Sequence, residues 1–188
     1  MKLILASKSP RRKELLEALG YSYEIRTKET DESFPLDLKT SDIANYIARL
    51  KANDLESSIK EDEVLLTADT IVVCENKVLG KPESTKEAFD MISQLSDKTH
   101  QVITGVCITT QTEQKEIAVT TEVTFKELTS DEINFYIENY QPFDKAGAYG
   151  IQEWIGLIAV SKIEGSYSNV VGLPTKEVNE LLSNYSFD

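Results

Sequence analysis

The segment Ser7-Lys8-Ser9-Pro10-Arg11-Arg12-Lys13 sets two hydroxyls beside four cations. Ser9 suits an N-cap and Pro10 the first helical position, so Arg11, Arg12 and Lys13 fall in a helix's opening turns. The helix dipole favours anions at that end, and the free backbone N–H groups there already form an anion site. A bound phosphate removes the conflict. The alternative is a solvated basic helix start, at a cost of about a few tenths of a kcal/mol per charge. The 188-residue chain carries a net charge of −12 and only four arginines, Arg11, Arg12, Arg26 and Arg49. Two of the four are adjacent here. The segment is not a P-loop, because no Gly-rich run ending in Gly-Lys-Ser/Thr occurs.

Asp69 is the second residue out of place, set between Val64-Leu65-Leu66 and Ile71-Val72-Val73. Aspartate disfavours strands, and a buried carboxylate needs a divalent metal, a lysine or a reacting water to stabilise it. The bland alternative is a kink at the sheet edge with Asp69 in solvent. Gly80-Lys81-Pro82 can present an ammonium to a phosphate or simply turn the chain. Lys51 alone reads as a solvated helix position, and Glu32 is ambiguous with its near neighbours Glu29 and Asp31 in a polar loop. Asp144-Lys145-Ala146-Gly147-Ala148-Tyr149-Gly150-Ile151-Gln152 is a loop whose small residues let a planar base approach the backbone, with Gln152 offering a donor and an acceptor; a structural turn is the alternative. The same two readings stay open for Ser166–Pro174.

The elements that position these residues follow from periodicity. Leu3–Ala6 reads as a buried strand, followed by a helix with Leu15, Leu16 and Leu19 on one stripe and Gly20 as its stop. Tyr21–Ile25 is predicted as a second strand and Thr27–Lys39 as a surface loop. Ser41 opens a helix with Ile43, Tyr46, Ile47 and Leu50 on one face. Val64–Cys74 is a strand interrupted at Ala68-Asp69-Thr70, turning at Glu75-Asn76 into Lys77–Leu79. Capping boxes open helices at Ser84 and Thr129, and Gln101–Thr110 and Ile117–Phe125 are neighbouring strands. Gly156–Ile163 is predicted as a strand and Pro174–Tyr185 as a terminal helix. With no repeat or linker, one domain over residues 1–188 is expected: α/β or α+β, with a mixed sheet and flanking helices.

Composition narrows the chemistry. The single histidine, His100, rules out a histidine metal cluster, and no paired Cys-x-x-Cys supports zinc. No Gly-x-Ser-x-Gly elbow exists. Acid–base work must therefore fall on carboxylates and lysines, and oxygen ligands favour Mg²⁺ or Mn²⁺. The acidic balance argues against binding a nucleic acid polymer or an anionic membrane. No apolar run approaches the roughly 20 residues of a membrane span. Lys2–Ser7 is too short for a signal peptide, and Cys74 and Cys107 lie in apolar segments, so a cytoplasmic protein with two buried thiols is expected.

Taken in order, Leu3–Arg12, Ala68-Asp69-Thr70, Gly80-Lys81-Pro82, Lys145–Gln152 and Val171-Gly172-Leu173-Pro174 resemble the motifs of the Maf family of nucleotide pyrophosphatases. The stretches span nearly the whole chain. The resemblance implies an α/β fold of the inosine-triphosphatase type with the substrate in a cleft between two lobes. It implies hydrolysis of a nucleoside triphosphate between the α and β phosphates. The family's site positions fall on Ser7, Arg12, Glu32, Lys51, Asp69 and Lys81, with Asp69 at the proton acceptor's place. Glu32 and Asp69 are then the expected ligands of a divalent cation. Arg11, Thr70 and Gln152 match the branch acting on dTTP and UTP; the 7-methyl-GTP branch carries an aromatic residue, a glutamine and a glutamate there. The family also implies a homodimer. Two rivals remain: a non-catalytic nucleotide-binding regulator of cell division, and a structural protein whose acidic face is its interface.

Overall fold

The computed structural model describes residues 1–187. In chain order the elements are β1 (Lys2–Leu5), α1 (Pro10–Ala18), β2 (Tyr23–Ile25), α2 (Thr40–Leu55), β3 (Glu63–Cys74), β4 (Lys77–Leu79), α3 (Thr85–Leu95), β5 (Thr99–Thr109), β6 (Gln114–Phe125), α4 (Ser130–Tyr140), α5 (Trp154–Ala159), β7 (Val160–Glu164), α6 (Tyr167–Val171) and α7 (Thr175–Leu182). The strands form a seven-stranded sheet in the order β2-β1-β3-β5-β6-β7, with β4 also paired to β3. β1 pairs in parallel with β2 and β3, whereas β3–β4 and β6–β7 are antiparallel. The fold is thus α/β with a mixed sheet and flanking helices, as the alternation of elements predicts.

The chain divides into two compact units: Met1–Asp69 with Thr104–Val119 and Gly172–Asp188, and Thr70–Ile103 with Thr120–Val171. In the first unit β1 and β3 are covered on both faces, which is why they read as continuous apolar runs. Leu3, Leu5, Val64 and Leu66 pack against Leu16 of α1 and Val178 and Leu182 of α7. Ile4 and Leu65 face the other way, onto Ala48, Ala52 and Leu55 of α2. In the second unit Val72, Cys74, Val102, Val123 and Phe125 pack with Ile92 and Leu95 of α3 and Ile133, Tyr136 and Ile137 of α4.

Four local expectations are corrected. β3 is not interrupted at Ala68-Asp69-Thr70; it runs unbroken, and Asp69 is only 9% exposed, so the solvated edge kink does not occur. The buried face of α2 runs through Ile43, Ala44, Ile47, Ala48 and Ala52, while Tyr46 and Leu50 are only partly buried. The reason is close packing: a Cβ at Gly105 of β5 would lie 2.3 Å from the Ala44 carbonyl carbon. Only small residues fit both sides of that contact. Gly156–Ala159 is helical, not extended, because α5 opens there with Gly156 N–H donating to Glu153 O at 2.9 Å. Ser9 occupies the N-cap position of α1, but its side chain does not cap; its backbone N–H donates instead to Ser7 Oγ at 3.2 Å.

The turn at Glu75-Asn76 and the Thr129 box form as expected, whereas the Ser84 box is only half formed. Glu75 and Asn76 have φ of 50° and 64°, the paired left-handed values that let a two-residue loop follow the strand twist. Thr129 and Glu132 form a complete capping box on α4. At α3 the Ser84 side chain accepts from Glu87 N, but Glu87 reaches back to Glu83 N rather than Ser84 N.

Candidate active site

In the first unit, alternation along β3 decides where Asp69 points. Leu65 packs against α2, Thr67 Oγ1 donates to Ala48 O at 2.7 Å, and Asp69, two residues on, faces the same helix. There Lys51 Nζ donates to Asp69 Oδ1 at 2.7 Å. The same ammonium lies 2.8 Å from Glu32 Oε1. Within the Thr27–Lys39 loop, Glu32 is bonded to Lys51; Asp31 turns the chain there by accepting from Ser33 N at 3.0 Å. Lysine, one of the partners the sequence allowed, thus sits on the buried carboxylate.

The loop between β1 and α1 supplies the cationic side. Ser7 is buried, and its Oγ accepts from Ser9 N and, at 3.5 Å, from Arg12 Nη1. Arg12 Nε donates to Gly172 O at 2.8 Å, which fixes the guanidinium. Burial pushes Arg12 below its ordinary value; the Asp69 charge opposes that, neighbouring Arg11 adds to it, and Glu32 opposes it. Arg12, Asp69 and Glu32 thus share one electrostatic environment. Arg26 and Arg49 are committed elsewhere. Arg26 pairs with Glu63 through two contacts of 2.8 Å, and Arg49 pairs with Glu116 at 3.3 Å. Sequence reading did not assign those two arginines a role; their partners lie 37 and 67 positions away.

The second unit holds Thr70, Lys81 and Gln152. Lys81 is exposed on the loop after β4, where Gly80 O accepts from Gly147 N at 3.0 Å. That bond ties the Lys81 loop to the Lys145–Gln152 segment. Gly147 has φ +67° and Val72 methyls 3.0 Å from where a Cβ would stand, so both backbone and space require glycine. Gln152 is exposed and lies within the turn closed by Glu153 N donating to Gly150 O at 3.0 Å. Behind it lies a network that sequence reading missed: Lys145, Glu153 and Tyr136. Lys145 Nζ contacts Asp144 Oδ1 at 2.7 Å and Glu153 Oε1 at 3.1 Å, and Tyr136 OH donates to Glu153 Oε2. The signal available was a lysine and a glutamate flanking a glycine-rich loop, but Tyr136 is remote in sequence.

A metal would have to use carboxylate oxygens. Among the described residues no group of three or more His, Cys, Asp or Glu is arranged to hold an ion. Glu32 and Asp69, drawn together on Lys51, are two carboxylates. Two carboxylates completed by water and substrate phosphates is the usual manner of Mg²⁺ binding, so the residues fit an ion that arrives with a triphosphate.

A mixed α/β fold that sets cations at a strand–loop–helix turn and a buried carboxylate on a lysine defines a protein built to handle anions. The chain matches the family model described as Maf-like protein over residues 2–185, and it belongs to that family. It is 53% identical to a dTTP/UTP pyrophosphatase of Flavobacterium johnsoniae, over 97% of this chain and 94% of that one. It is 51% identical to a protein of the same name from Bacteroides thetaiotaomicron, over 94% and 92% of the two chains. Among solved structures, the Ham1 protein of Staphylococcus aureus matches 66% of this chain and 72% of its own at 11% identity, with a TM-score of 0.49. So faint a likeness carries no argument about the site. Among the described residues no helix is long and apolar enough to cross a membrane.

Proposed function

We propose that this chain hydrolyses nucleoside triphosphates, dTTP and UTP foremost, between the α and β phosphates, releasing the monophosphate and pyrophosphate. The observation that carries the reading is the buried Asp69 held by Lys51 beside Glu32, in electrostatic reach of Arg12. The names of the relatives, at about half identity over nearly the full chain, support the same reaction.

In this reading Ser7 and Arg12 bind phosphate oxygens, Arg12 by charge-assisted hydrogen bonds. Asp69 orients a water in line with the α phosphorus and takes its proton as the new P–O bond forms. The bond from the α phosphorus to the bridging oxygen breaks, and pyrophosphate leaves with that electron pair. Lys51 and Lys81 offset the charge that develops on the phosphates. Glu32 and Asp69 would hold a Mg²⁺ or Mn²⁺ ion, which would neutralise part of the triphosphate charge. Thr70 and Gln152 select the base, and Arg11 is the third position of that selection; these roles follow the resemblance to the dTTP/UTP branch. The reading extends, on the same resemblance, to a homodimer and, on the two free buried thiols Cys74 and Cys107, to a cytoplasmic location.

Asp69→Asn keeps the shape and the Lys51 contact but removes the proton acceptor. It is expected to lower kcat for dTTP by about 10²–10⁴-fold with the thermal unfolding curve retained, measured as pyrophosphate released with Mg²⁺ present. Near-normal turnover in that variant would sink the assignment. Thermal stabilisation of the wild type by dTTP with no pyrophosphate released would favour the nucleotide-binding regulator instead.

A further inference from the structure

Gln152 is exposed on a loop, and a side chain that discriminates between bases cannot do so from a wandering backbone. Its loop is pinned at both ends by one hydroxyl. Tyr136 OH accepts from Gly150 N at 3.0 Å and donates its own proton to Glu153 Oε2. Gly150 and Glu153 are the two ends of the turn, closed by the Glu153 N to Gly150 O bond, with Gln152 between them. Lys145, only 8% exposed, holds the other carboxylate oxygen of Glu153 at 3.1 Å and is itself balanced by Asp144 at 2.7 Å. There is no slack: a Cβ on Gly150 would stand 2.8 Å from Glu153 Oε2 and 3.1 Å from Lys145 Cε. Tyr136 comes from α4, whose start is fixed by the Thr129–Glu132 capping box and whose neighbours Ile133 and Ile137 are buried.

We propose that Tyr136, Glu153 and Lys145 are positioning residues that hold Gln152 in a preset orientation, so that base selectivity depends on three side chains that need not touch the substrate. The inference rests on Gln152 being the base-reading residue. Tyr136 and Lys145 are buried, Glu153 is half-buried, and their bonds converge on the turn, which is more than a solvent-exposed loop needs merely to close. Its effect is to transfer the rigidity of α4 to the Gly150–Glu153 turn.

The test is Tyr136→Phe, which removes the hydroxyl and keeps the ring, assayed for pyrophosphate release from dTTP, UTP, ATP and GTP. The expected result is a rise in KM for dTTP and a fall in the pyrimidine-to-purine ratio of kcat/KM, each about tenfold or more, with kcat changing far less. Glu153→Gln, which keeps an acceptor for Tyr136 but weakens the Lys145 contact, is expected to move the ratio the same way by less. In a Gln152→Ala background, Tyr136→Phe is expected to add nothing, because the groups act in series. An unchanged ratio in both Tyr136→Phe and Glu153→Gln, or full additivity with Gln152→Ala, overturns the proposal. If Tyr136→Phe does not fold, Glu153→Gln alone and in the Gln152→Ala background decides. Failure of the wild type to release pyrophosphate from any of the four is a different failure, that of the proposed reaction.

Discussion

Asp69 shows how far a single residue can be read. Its place in an apolar run marks it as needing a partner, and chemistry restricts that partner to a cation or a proton. The choice of Lys51 is not legible, because the two are 18 positions apart and meet only when α2 packs on β3. Glu32 is harder still, since its loop has no periodicity and holds four acids, Glu29, Asp31, Glu32 and Asp37. Gln152 is the residue whose role is most exposed to test. A neutral amide offers a pyrimidine one donor and one acceptor, whereas a carboxylate in its place offers only acceptors and a negative charge. Gln152→Glu is therefore expected to lower kcat/KM for dTTP by about tenfold or more, as unpaired polar groups are left against the base. The same change is expected to raise relative activity on 7-methyl-GTP, whose cationic ring the carboxylate attracts. A ranking of dTTP, UTP and 7-methyl-GTP identical to that of the wild type is the result that would remove Gln152 from base selection.

At the scale of elements, strands with clean apolar patterns and helices with capping boxes are legible: β1, β3, α3 and α4 lie close to where pattern puts them. What fails is instructive. α5 and α6 are six and five residues long, too short for a helical period to show, and α5 carries Gly156 at its centre. The α2 stripe misleads because alanines rather than the large Tyr46 and Leu50 are buried. That follows from Gly105, which no helix-local pattern contains. The contact has consequences for chemistry, because Ala44 lies seven residues before Lys51, two turns along the same helix. Gly105→Ala forces a Cβ to within 2.3 Å of the Ala44 carbonyl carbon. The backbone cannot give locally, so α2 must move away from the strand. The variant is expected to lose about 1–3 kcal/mol of stability in urea titration. It is also expected to lose dTTP turnover beyond what its folded fraction explains, because Lys51 moves with the helix. Full activity with unchanged stability would show that the close approach is dispensable.

For the molecule as a whole the question is how the two units respond to acid. Each holds a buried group that burial or a partner pushes down within the acid range. In the first unit Glu63, 2% exposed, is held down to about 2 by its hydrogen bonds from Arg26 and, less, by Lys60 N; burial works the other way. In the second unit His100 is 1% exposed, with Nε2 at 2.8 Å from Tyr149 OH and Phe125 edge-on at 5.0 Å; burial lowers it to about 4. Both folded values lie below the unfolded ones, so in both cases the unfolded chain binds the proton first and stability falls as pH falls. The windows differ. His100 acts from about 6.5, its unfolded value, down to about 4, whereas Glu63 acts from about 4.5 down to about 2. Acid should therefore act first on the unit that contains His100. A chain of net charge −12 also loses self-repulsion as carboxylates protonate, which works against both effects and blurs the raw profile. Comparing variants cancels that shared background. His100→Gln keeps a partner for Tyr149 but cannot titrate. Between pH 6.5 and 4 the wild type is expected to lose stability relative to this variant at up to about 1.4 kcal/mol per pH unit. Urea midpoints measured across that range check it. A constant difference between the two proteins over the whole window would mean that His100 is not the group through which acid enters.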